Sequence, residues 1–64
     1  MIIQVKDTAE EVYYINPLNV VYVKQTSANR GLWKIVLVTD ERIMTNDKAQ
    51  VFNVIDFLRD RKPT

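Results

Sequence analysis

Side-chain chemistry near neutral pH draws on histidine, cysteine, a metal cluster or a carboxylate pair with a raised pKa. This chain has no His and no Cys, which removes the usual proton shuttles, the strongest nucleophile and the usual zinc ligands. What remains is Glu10-Glu11, Asp40-Glu41 and the hydroxyl of Ser27. Neighbours on a strand point to opposite faces, and in a turn both carboxylates are solvated, so neither pair suits an acid/base couple. Ser27 has no base to activate it. The sequence therefore predicts a protein that is not an enzyme, with no metal and no cofactor.

A second set of residues suits binding. Lys24, Arg30 and Lys34 surround a polar loop, with Tyr22 and Trp33 close in sequence. Aromatic rings interleaved with cations can stack on bases and contact phosphates, so RNA, single-stranded DNA or a nucleotide is one partner class. The arrangement depends on strand register. If Lys24 lies opposite Trp33 the two share a face, whereas a slip of one residue pairs Lys24 with Lys34. In the competing reading Trp33 anchors the core or a subunit interface, and the cations are a solvated hairpin tip. Arg59-Asp60-Arg61-Lys62 could hold phosphate, but its charges also serve a helix end and solubility. Tyr13, Tyr14 and Tyr22 could line a small-ligand pocket at a subunit junction.

These residues sit in a chain of 64, near the lower limit for a single core, so residues 1–64 form one domain. Disulfides are excluded, which leaves assembly as the available reinforcement. Nine Lys and Arg against eight Asp and Glu give a net charge of +1, so any contact with nucleic acid must rest on a local patch. With 47% hydrophobic residues, one Gly and two Pro, the chain should fold throughout. No signal peptide or membrane-spanning run is evident, and a cytoplasmic location without membrane contact is the default expectation.

The elements follow from periodicity. Ile2 to Val5, Glu11 to Ile15, Val20 to Gln25, Leu32 to Val38 and Arg42 to Met44 read as strands. Asp7-Thr8-Ala9-Glu10, Asn16-Pro17 and Asp40-Glu41 read as turns. The loop from Thr26 to Gly31 holds the only glycine and is the expected place for a positive φ. From Asp47 the period becomes helical, with Val51, Val54, Ile55 and Leu58 on one stripe. Asp47 and Gln50 are spaced as a capping box. Arg59, Arg61 and Lys62 suit the helix end, and Pro63 stops it. The predicted class is α+β: a five-stranded antiparallel meander, open or curled into a small barrel, with one C-terminal helix.

Alternation along the strands is poor. Trp33, Ile35 and Leu37 point one way and Val36 and Val38 the other; the second and third strands repeat this. One helix covers one face of a sheet, so the second face must be closed by curling or by a partner. Phe52 and Phe57 flank the helix stripe on opposite sides and widen its apolar arc. A homo-oligomer with Phe52, Phe57, Val36 and Val38 at its interface is the expectation, with a tightly curled sheet as the alternative.

Tyr14-Ile15-Asn16-Pro17, the strand Ile35-Val36-Leu37-Val38, then Arg42-Ile43-Met44 and a helix with Val51 and Ile55 run in an order that resembles the small FlbD-like bacterial proteins and similar phage proteins. That resemblance implies a regulatory or accessory role and no particular site residues. The sequence reading is thus a self-associating binding or regulatory module that recognises a protein or small ligand. The alternative is a nucleic-acid or nucleotide binder that uses Tyr22, Lys24, Arg30, Trp33 and Lys34.

Overall fold

The structure, a computed structural model, describes residues 1–28 and 30–60. The element order is β1 (Ile3–Lys6), β2 (Val12–Ile15), a 3-10 turn (Pro17–Asn19), β3 (Val20–Gln25), β4 (Trp33–Leu37), β5 (Arg42–Thr45) and α1 (Lys48–Asp60). All strand pairs are antiparallel. The strands do not form one meander; they divide into β1-β2 and β3-β4-β5, and the two sheets do not close into a barrel. The division falls at Asn16-Pro17. Asn16 Oδ1 accepts from Leu18 N at 3.0 Å, and Asn19 N donates to Asn16 O at 2.8 Å. Pro17, which has no N–H to lose, is buried at the start of the turn. The chain is thereby redirected, and β3 pairs with β4 instead of β2.

Both tight hairpins use the same device. Asp7 and Glu11 close a three-residue loop, as do Leu37 and Glu41. In each the last loop residue, Glu10 (φ 65°) or Asp40 (φ 74°), is left-handed. This is the type I turn with a left-handed third residue that suits the twist of antiparallel strands. Positive φ is expected in the loop from Thr26 to Gly31, of which Asn29 lies outside the described residues; among the described residues it occurs at Glu10 and Asp40 and at no glycine.

The core is a single cluster of Ile3, Val5, Ile15, Val20, Ile35, Ile43, Val51 and Val54. Ile3 opposes Ile15, and Ile35 stands between Val23 and Ile43, so each sheet turns one apolar face inward. The stripe of α1 fills the space between them, Val51 and Val54 fully buried and Ile55 and Leu58 packed at the margin. Each such side chain contributes roughly 1.5–3 kcal/mol when fully removed from water. The poor alternation of β3 has a local cause. Val20 pairs with Leu37 and Tyr22 with Val36, which makes Val21 an extra, bulged residue. Val20 and Val23 can then both face the core although they are three apart.

Thr45 is the buried polar residue that joins these parts. Its hydroxyl donates to Lys6 O at 2.6 Å and accepts from Asp47 N at 3.0 Å, and Thr8 N donates to Met44 O at 3.0 Å. The ends of β1 and β5 and the start of α1 are thus tied together. The helix begins directly after Asp47, as expected, but Gln50 Oε1 accepts from Asn53 Nδ2 at 3.0 Å and does not complete a capping box. Arg59 lies in the last turn; the helix-end roles expected of Arg61, Lys62 and Pro63 fall outside the described residues.

Candidate binding face

The register settles the question left open by the sequence. Lys24 stands directly opposite Lys34, and Trp33 is paired with Gln25 and Thr45. The two lysines and the tryptophan therefore project from opposite faces of the sheet. On the outer face lie Tyr22 and Lys24 of β3, Lys34 and Val36 of β4, and Arg42 and Met44 of β5. Val36 pairs with both Tyr22 and Arg42, and Lys34 with both Lys24 and Met44, which makes two cross-strand rows. Three cations and one aromatic ring share this face, and none of the six positions is a carboxylate. Tyr22 is 44% exposed. Beside it, Lys24, Thr26, Ser27, Ala28, Lys34 and Met44 line a shallow hollow of about 270 Å³.

Trp33 does not belong to this surface. Its ring meets that of Phe52 edge-on, with centroids 5.7 Å apart and planes at 66°, and it packs against the core. Lys48 Nζ lies 5.6 Å from the centre of the Phe52 ring, a cation over an aromatic face. Arg30 is exposed in the loop between β3 and β4, where its carbonyl accepts from the Gln25 side chain. The expected constellation thus separates: Tyr22, Lys24 and Lys34 remain together, Trp33 leaves, and Arg42 and Met44 join. Their membership was readable from the alternation of Arg42 and Met44 with the apolar Ile43.

The four residues expected at an oligomer interface are dispersed. Val36 is 5% exposed; flanked on its own face by Tyr22 and Arg42, it has little area to offer a partner. Val38, in the turn after β4, is 62% exposed. Phe52 lies on the flank of α1 toward β4 and Phe57 on the flank toward β1. The three tyrosines do not converge either: Tyr13 packs on the core, Tyr14 is exposed on β2, and Tyr22 belongs to the other sheet.

Five of the eight carboxylates, Asp7, Glu10, Glu11, Asp40 and Glu41, lie at the hairpin ends. Asp7 Oδ1 accepts from Ala9 N and Glu11 N, each at 2.9 Å, and Thr39 Oγ1 donates to Glu41 Oε1 at 3.3 Å. Tyr13 is raised above its ordinary value of 10.0 by burial, by the hydrogen bond to Asp7, and by the charges of Asp7, Glu11 and Glu41. These groups serve turns and a tyrosine hydroxyl. Among the described residues no three His, Cys, Asp or Glu side chains are placed to hold a metal, and no helix is long and apolar enough to cross a membrane.

No family model matches the chain, and searches of curated proteins and of solved structures return no match.

Proposed function

We propose that the chain is a non-enzymatic binding module whose recognition surface is the outer face of β3-β4-β5, and that this face takes a single-stranded nucleic acid. The observation that carries the reading is the placement of Lys24 directly opposite Lys34, with Arg42 on the same face. Like charges facing each other across a strand pair lower stability. In a chain of net charge +1, grouping three cations on a face whose six paired positions include no carboxylate suits an anionic ligand. Tyr22 supplies a stacking ring on the same face, and the hollow beside Lys34 offers the Ser27 hydroxyl and ammonium groups to a phosphate. A regulatory role, as the FlbD-like resemblance implies, is compatible with such a surface.

Binding of a labelled single-stranded oligonucleotide at several salt concentrations tests this. Three phosphate contacts give a slope of about −2 for log affinity against log salt, at roughly 0.7 per contact. Lys34→Ala should weaken binding and flatten that slope, while relief of the lysine pair leaves stability unchanged or raises it by about 0.2–0.5 kcal/mol. A salt-independent affinity, or full binding by Lys34→Ala, would remove the face from consideration.

Self-association is the second reading. Leu18, Val21 and Val38 are all more than half exposed. They sit near one another, because Val38 N donates to Asn19 O at 2.8 Å and Val20 pairs with Leu37. This apolar end of the sheet supports an oligomer that leaves the cationic rows open.

A further inference from the structure

A second surface lies on the other side of the molecule. Between the start of β1 and the C-terminal half of α1 runs a groove of about 520 Å³, larger than the hollow on the sheet face. Its floor and walls combine Ile2, Gln4, Asn53, Asp56, Phe57 and Asp60. Three of its properties point to one kind of occupant.

The first is an open strand edge. Lys6 O is turned toward β5, since it accepts from Thr45 Oγ1, whereas Asp7 N is turned toward β2, since it donates to Glu11 O. In an antiparallel strand the N–H and C=O of one residue point the same way and alternate along the chain. Gln4 therefore directs its backbone groups away from β2, and it lines the groove. An extended peptide can pair with such an edge, its main chain supplying the affinity.

The second is the apolar lining. Ile2 is 62% exposed, and Phe57 is half-buried against the same groove. The third is charge. Asp56 and Asp60 are one turn apart on α1 and both exposed, and among the described residues none of those lining the groove is a lysine or arginine. Two carboxylates four apart repel, and the C-terminal end of a helix disfavours negative charge. A cation in the groove would relieve both.

We propose that the groove between β1 and α1 is a docking site for an extended peptide segment of a partner protein in which apolar residues alternate with lysine or arginine. The peptide lies along β1 as an added strand, its apolar side chains against Ile2 and Phe57 and its cations beside Asp56 and Asp60. The site is separate from the sheet face and does not depend on nucleic-acid binding.

The probes are two nine-residue peptides, one alternating Val with Lys and one alternating Val with Glu, each followed by fluorescence anisotropy and by amide shifts of the full chain. The Val-Lys peptide should bind preferentially and shift the Gln4 amide. Asp56→Lys with Asp60→Lys, both at exposed positions, should reverse the preference, each charge altering affinity by about fivefold. Gln4→Pro, which removes the edge donor, should abolish binding, with circular dichroism confirming the fold. Equal binding of both peptides, an unmoved Gln4 amide, or a preference unaffected by charge reversal overturns the proposal. So does concentration-dependent shifting of the groove amides without peptide, which would make the occupant a second copy. Peptide binding that emerges only in Arg61→Ala with Lys62→Ala would make it the chain's own tail.

Discussion

Glu10 and Asp40 occupy the same position in two copies of one turn, yet their costs differ. A left-handed backbone brings Cβ close to the following carbonyl, and only Gly, and to a lesser degree Asn and Asp, accept it readily. Glu10→Gly should therefore stabilise the protein by about 0.5–1 kcal/mol, and Asp40→Gly by less, measured by urea unfolding. The φ of Glu10 was not legible, because Glu carries no left-handed preference; Asp40 stood in a segment that reads as a turn, but the only glycine drew the expectation of positive φ to the longer loop. Tyr13 makes a residue-scale prediction of a different kind. Its pKa is raised in the folded chain, so the folded state holds its proton more firmly than the unfolded state. That stability is complete below the ordinary value near 10 and is lost as pH rises beyond it. Tyr13→Phe should retain more of its neutral-pH stability above that point than the native chain does; parallel losses in the two proteins would rule the residue out as a cause of alkaline unfolding.

At the scale of elements, the strands and the helix were legible because their apolar periods are two and about 3.6. The pairing was not. Val20-Val21-Tyr22-Val23 is apolar at every position, so nothing in it marks Val21 as the bulge, and the lysine register shifts with that choice. The sheet division was hidden for a related reason: Asn16-Pro17 announces a turn but not that Pro17 will be buried within it. Trp33 is where this mattered most, since a slip of one residue moves it from the binding face to the core. Its position against Phe52 predicts that Trp33→Ala will cost about 2–3 kcal/mol through lost burial and the ring contact. At temperatures where the variant is folded, oligonucleotide affinity should be unchanged. A selective loss of affinity without loss of stability would return Trp33 to the ligand.

The whole molecule measures 36 × 23 × 22 Å; Lys24, Lys34, Arg42 and the apolar end belong to the β3-β4-β5 sheet, and the acidic groove lies between β1 and α1. If the apolar end mediates assembly, light scattering at micromolar concentration should find an oligomer, and Val38→Lys should return it to a monomer without unfolding, since Val38 is 62% exposed. A native chain that is monomeric throughout would discard the second reading. Thr45 carries a further consequence, which concerns time. Its hydroxyl reaches back from residue 45 to Lys6, and the first hairpin finds its packing partners in Val51 and Val54. During synthesis the β1-β2 hairpin is complete by Ile15, but the residues that cover it arrive about 2–8 s later at ~5–20 residues per second. In that interval Ile3, Val5 and Ile15 are uncovered on the nascent chain, and the speed of the ribosome through residues 16–54 sets how long they remain so.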